Sequence, residues 1–250
     1  MLTLTRLLPA PGPVAAEDAL APAWSAGSAP HVRVNMVASI DGAASIGGRV
    51  GALTGPADQV LLHVLRSLCD VLLVGAATVR AEGYGPIEVL PELAARRREL
   101  GLTAAPRLAI LSRAVDLDLA SPVFTGPGER PLLLTTAMAS SARLAEARAV
   151  ADVVVVGERW AGLPAVIGLL GGLGLPRILS EGGPRLLAGL FADDLVDELC
   201  LAISPLVTAG TELRITNGPA LPTPRPMRLD AAYTAGDGFL FTRYLRAPAS

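Results

Sequence analysis

Short apolar runs alternate along this 250-residue chain with stretches whose apolar positions recur every three or four residues. "HVRVNMVAS" (31–39) alternates as a strand does, whereas "TGPADQVLLHVLRSLC" (54–69) combines a threonine cap, an early proline and helical spacing. "DVLLVG" (70–75) reads as a buried strand and "PELAARRREL" (91–100) as an exposed helix. Further strands are predicted at 107–112, 130–136, 151–157 and 176–180, with helices near 140–149, 162–173 and 184–191 between the later ones. From 197 onward only strand patterns remain: "DELCLAISPLV" (197–207), then a hairpin from "MRLDAAYTA" (227–235) and "GFLFTRYL" (238–245). Alternating β and α with short connections predicts one α/β domain over 31–250, a mostly parallel central sheet between two helical layers, with an antiparallel C-terminal edge hairpin. Residues 1–30, rich in Pro and Ala, are expected to form an irregular N-terminal arm.

Composition narrows the function classes. A hydrophobic content of 51% is enough for one sizeable core. Mean hydropathy is +0.49, but the longest uncharged apolar stretch, 161–176, is shorter than the roughly 20 residues of a spanning helix. It also contains five glycines and two prolines. A net charge of −2 gives no footprint for nucleic acid or an anionic membrane. Pro9, Pro11 and Pro13 interrupt any leader-like apolar segment, so a cytoplasmic protein is expected. Cys69 and Cys200 stand alone in apolar patterns and read as buried thiols; with His31 and His63 they provide no zinc or haem spacing. His63 falls in an amphipathic helix and reads as a packing or surface residue. The chain has no lysine, which excludes Schiff-base chemistry and a lysine-bearing P-loop.

In open α/β sheets ligands bind beyond the carboxyl ends of the strands, and two strand ends here carry turns suited to phosphate. In "VGAATVRAEG", Gly75 ends a strand and Thr78 enters a short helix. In "LSEGGPRLLAGL", Glu181 precedes Gly182, Gly183 and Pro184 at a helix start, where exposed N–H groups and the helix dipole favour an anion. Between them "LSR" ends another strand, and Ser112 with Arg113 suits a 2′-phosphate, although on general grounds Arg113 reads first as a plain solvated arginine. No G-x-G-x-x-G follows the first strand.

The ordered set "VNMVASIDGAAS", "LTGPAD", "LRSLCDVLLVGAATV" and "ILSEGGPRLLAGLFADDLVDELCLAISPLV" resembles the reductase domain of bacterial riboflavin biosynthesis over residues 31–246. That resemblance implies a dihydrofolate-reductase-like fold, NADPH as cofactor, a homodimer, and reduction of 5-amino-6-(5-phosphoribosylamino)uracil by hydride transfer to C1′ of an opened imine. No deaminase signature occupies the first 30 residues. Carried onto this sequence, the resemblance places Asp41 at the mouth of the substrate cleft and Thr54 beside the nicotinamide. Gly75, Ala76 and Thr78 fall on the pyrophosphate, Ser112 and Arg113 near the 2′-phosphate, and Gly157 near the adenine. Glu181, Gly182, Gly183 and Pro184 fall at the cofactor–substrate junction. Asp41 and Glu181 are the implied groups for holding or protonating substrate, and neither is singled out as the donor. Asp41 also fits a plain Asp-Gly turn.

The chain departs from the family pattern on the substrate side. Asn35 stands where the family commonly has lysine, four residues before Ser39 of the "SIDG" element, and "RAEGYGP" replaces the usual acidic-Pro run that grips a ribose phosphate. Glu82 there reads as a substrate contact or a solvated helix-end charge, and Tyr84 as a stacking ring or a loop anchor. Asn35, Ser39, Glu82 and Tyr84 are therefore the candidate substrate-binding residues. Two alternatives stand beside the main reading: an NADPH-dependent reductase of dihydrofolate, a pterin or another heterocycle, and a non-catalytic NADPH-binding protein.

Overall fold

The computed structural model describes residues 2–20, 24, 29–159 and 162–247. Its strands are β1 (Thr3–Leu8), β2 (Gly12–Ala15), β3 (His31–Ser39), β4 (Val71–Gly75), β5 (Arg107–Leu111), β6 (Leu132–Thr135), β7 (Asp152–Val155), β8 (Arg177–Ser180), β9 (Glu198–Ser204), β10 (Met227–Thr234) and β11 (Leu240–Arg246). Its helices are α1 (Ala16–Leu20), α2 (Pro56–Leu68), α3 (Ala76–Glu82), α4 (Ala94–Glu99), α5 (Pro122–Thr125), α6 (Ser141–Val150), α7 (Leu163–Gly172) and α8 (Pro184–Ala192). All these strands join one 11-stranded sheet in the order β2-β1-β10-β11-β9-β3-β8-β4-β5-β6-β7. From β9 to β7 the neighbours are parallel; from β9 to β2 they are antiparallel.

The pleat sorts side chains onto two faces. Val32 and Val34 of β3, with Val71 and Leu73 of β4, pack on α7 and α8 through Val166, Leu170, Leu187 and Leu190. Leu72 and Val74 point the other way, into a layer with Leu61, Val64, Leu65 and Leu68 of α2. Spacing of three and four places those α2 residues on one stripe, and burying each leucine contributes about 1.5–3 kcal/mol. The residue that caps α2 is Gly55 rather than Thr54, with no side-chain cap. Helices thus cover both faces of the parallel part, as the sequence pattern predicts.

The N-terminal segment differs from the expected irregular arm. Residues 3–20 form β1, β2 and α1, so the C-terminal hairpin β10–β11 pairs as predicted but is not the sheet's edge; β1 adds to β10 and β2 to β1. The prolines that suggested an arm are compatible with this pairing. Pro9 and Pro11 lie at the turn between β1 and β2, and Pro13 lies on the edge strand β2, where a missing N–H is tolerated. Leu4 is buried, and Arg33, Arg243 and Tyr233 all donate hydrogen bonds to the carbonyls of Leu20 or Ala19. Residues 21–23 and 25–28 of the expected arm lie outside the described residues.

Candidate active site

The two glycine turns meet. Gly75, at the end of β4, donates its N–H to the carbonyl of Gly182, just past β8, at 2.9 Å. The parallel pairing of β4 with β8 brings them together, although they lie far apart in the chain. Gly75 caps α3 and Gly183 caps α8, and neither helix start has a side-chain cap. Gly182 has φ of +77°, the left-handed region that favours glycine. Gly183 has φ of −68°, so its requirement is spatial: a Cβ there would lie 2.6 Å from Oγ1 of Thr78. Gly75, Ala76, Thr78, Gly182, Gly183 and Pro184 therefore converge around two uncapped helix starts, which fits a diphosphate. At the end of β5 Ser112 is buried and Arg113 exposed, while Gly157 lies exposed beyond β7.

Beside this junction a cavity of about 320 Å³ opens on the α2 side of the sheet. Asn35, Thr54, Glu82, Tyr84 and Glu181, all singled out from the sequence, line it together with Thr78. Thr54 accepts a hydrogen bond from Gln59 at 2.5 Å, and Glu82 accepts one from the Val50 N–H at 3.1 Å.

Glu181 is tightly engaged. Arg66 of α2 donates from Nε and Nη2 to its two oxygens, each at 2.6 Å, and the Tyr84 hydroxyl donates to Oε2 at 2.5 Å. The guanidinium also lies over the Tyr84 ring, 5.4 Å from its centroid. Burial opposes the charge on Arg66, but the hydrogen bonds and charge of Glu181 hold its pKa above the ordinary value. Burial, reinforced by the negative charge of Glu181, raises the Tyr84 phenol. Tyr84 is thus an anchor that ties the loop after α3 to Glu181. Sequence reasoning missed Arg66, because a lone arginine in an amphipathic helix gives no sign of a partner 115 residues away.

Asp58 was also missed. It is the third residue of α2, 8% exposed, and it lines the cavity. Burial first, and then the charge of Asp237, push its carboxyl up to about 6, with no hydrogen bond offsetting them. One signal was available: Asp58 shares the helical stripe of Leu61, Leu65 and Leu68, an unusual place for a charge.

Asp41 and Ser39 lie elsewhere. Neither is among the residues lining the cavity. The Ser39 hydroxyl donates to Asp41 at 2.5 Å, and the N–H groups of Ala209 and Thr208 donate to the same carboxylate at 2.7 and 3.2 Å. Those bonds, Ser39 first, then Ala209 and Thr208, hold the carboxyl down at about 2. The geometry assigns this pair to a clamp between two loops, the turn role that the Asp-Gly sequence also allowed.

Among the described residues, no helix is long and apolar enough to cross a membrane, and no group of three or more His, Cys, Asp or Glu is placed to hold a metal ion. A family model described as the RibD C-terminal domain matches residues 30–241. The chain is 28% identical over 198 residues to a 2,5-diamino-6-ribosylamino-4(3H)-pyrimidinone 5′-phosphate reductase of Methanothermobacter thermautotrophicus, covering 74% of this chain and 82% of that protein. It is 26% identical over 215 residues to the reductase of the same name from Archaeoglobus fulgidus, covering 85% and 97%. Among solved structures, a pyrimidine reductase-like protein of Corynebacterium diphtheriae superposes with a TM-score of 0.85 at 26% identity, covering 94% of this chain and all of that one.

Proposed function

The chain belongs to the family of the RibD C-terminal domain, and from that premise we propose that it is an NADPH-dependent reductase of a phosphoribosylaminopyrimidine of the riboflavin pathway. The observation that carries the reading is the meeting of the Gly75 and Gly182 turns beside a cavity lined by Asp58, Thr54 and Glu181. Bound NADPH supplies a hydride. The starts of α3 and α8 hold its diphosphate, with Gly183 leaving room for the Thr78 side chain between them. Ser112 and Arg113 take the 2′-phosphate, which makes NADPH the preferred cofactor. Thr54 and Asn35 border the reacting ring, and the Arg66–Glu181–Tyr84 group fixes the wall of the cavity against which substrate is oriented. The reading includes a homodimer, which the exposed apolar side chains of Ile40, Leu206 and Val207 on joined loops support.

A second reading keeps the chemistry and changes the substrate to an unphosphorylated heterocycle such as a pterin. One observation favours it: among the described residues lining the cavity, Arg66 is the one cation, and Glu181 already engages it. Turnover of the phosphoribosyl pyrimidine and of dihydrofolate, each with NADPH, separates the two. Replacing Arg113 by Ala is expected to weaken NADPH by about 1–3 kcal/mol and leave NADH nearly unchanged. Equal losses for both cofactors would remove the 2′-phosphate assignment.

A further inference from the structure

We propose that Asp58, held in the cavity wall by α2, is the proton donor of the reduction. The inference rests on the reductase reading above and holds for either substrate. Adding a hydride to the carbon of a C=N bond moves the bond's electron pair onto nitrogen, which must then take a proton. The hydride comes from the reduced nicotinamide, which is oxidised in the exchange. Asp58 supplies the proton and is left as a carboxylate, which water reprotonates through the cavity. C=N becomes CH–NH, and atoms and charge balance.

The two carboxylates suggested by the sequence are otherwise occupied. Asp41 lies outside the cavity lining and accepts from Ser39, Thr208 and Ala209. Glu181 lines the cavity, but both its oxygens accept hydrogen bonds from Arg66, and Oε2 also accepts one from Tyr84. Asp58 is more than nine-tenths buried, borders the cavity and has no side-chain or backbone donor among the described residues.

The charged and titratable surroundings of Asp58 come from each packed element. Asp237, from the turn between β10 and β11, raises the cost of its ionised form. Cys200, Tyr233 and Arg243 of the sheet share a smaller cavity with it on the far side. Arg66, Glu82, Tyr84 and Glu181 border the main cavity. The first turn of α2 favours the anion, while burial and Asp237 act against it. The balance leaves a carboxyl that holds its proton up to about pH 6 and gives it up within the range where general acids work.

The test pairs kinetics with a readout independent of turnover. Asp58→Asn should slow single-turnover hydride transfer about 100-fold or more while NADPH binding stays within about twofold. In the wild type the rate should fall as pH rises through about 6, and that limb should be absent in Asp58→Asn. Difference infrared spectroscopy should show a protonated carboxyl band disappearing over the same pH range and missing from Asp58→Asn. Asp237→Asn, which leaves the cavity lining intact, should move both the band and the limb to lower pH. An active wild type with an Asp58→Asn variant slowed less than about threefold, or a band that titrates in the ordinary carboxylate range, overturns the proposal. A wild type that oxidises NADPH with neither substrate overturns the reductase reading and the donor role with it.

Discussion

The junction of the two glycine turns and the cavity beside it are built differently. At the junction of α3 and α8 the determinants are short and local: Gly75 through Thr78 in one turn, Glu181 through Pro184 in the other. The parallel register of β4 and β8 then brings the two turns into contact. In the cavity the determinants are single residues from distant segments, with Asp58 and Arg66 on α2, Tyr84 after α3 and Glu181 after β8. A site built from turns keeps its geometry through backbone alone, whereas a site built from converging side chains changes its chemistry with each substitution. Asn35, Glu82 and Tyr84, where the sequence departs from the pattern it resembles, all line this cavity.

The largest expected effect breaks the cavity wall at its ion pair. Arg66→Met leaves Glu181 buried with only Tyr84 as partner, and should cost about 3–5 kcal/mol of stability in urea denaturation. Adding Glu181→Leu should restore much of that loss; no restoration would mean that the pair does not act as a unit.

Next is the linkage at Asp58. Its folded pKa of about 6 lies above the ordinary 3.8, so the folded state binds the extra proton between those values. Wild-type stability should therefore fall as pH rises from 4 to 7, relative to Asp58→Asn, by about 2–3 kcal/mol. A pH-independent difference between the two proteins contradicts the raised value.

The glycine turns sharpen the comparison from the other side. Gly183→Val, at a φ any residue adopts, should retain the native circular dichroism spectrum and weaken NADPH at least tenfold, about 1.4 kcal/mol. Gly182→Ala, at positive φ, should instead lower stability by about 1 kcal/mol. A folded Gly183→Val that binds NADPH normally would make the turn only a turn.

The smallest effect on chemistry is expected at Asp41. Asp41→Ala should speed amide exchange in the 205–213 loop that its carboxylate clamps, while single-turnover hydride transfer stays near the wild-type rate. A large loss of rate without loosening of the loop would return Asp41 to the chemistry.

These contrasts trace what was legible in the sequence. Helical spacing located α2 and α8, which each bury one face, alternation located β3, and short continuous apolar runs located β4 and β8, whose side chains are buried on both faces. The glycine turns were legible because their backbone requirements are written in one residue type. Asp-Gly carries the same letters whether it caps a turn or faces a ligand, and the hydrogen bonds that Ser39, Thr208 and Ala209 donate to Asp41 come from segments those letters do not show. Arg66 and Asp58 were hidden because their roles depend on which residues the sheet brings opposite α2. In the segment 3–20 proline signals a break in a sequence pattern, but an edge strand admits it at Pro13.

On the proposed function, this site transfers a hydride from NADPH to a bound heterocycle or its ribosyl chain. The most direct measurement of that transfer uses NADPH deuterated at both C4 positions, with product analysed by mass spectrometry for the phosphoribosylaminopyrimidine and for dihydrofolate. The product of one of them should carry a single deuterium on the reduced carbon. NADPH binding with no deuterium in either product would contradict it, and would leave a protein that holds the cofactor without using it.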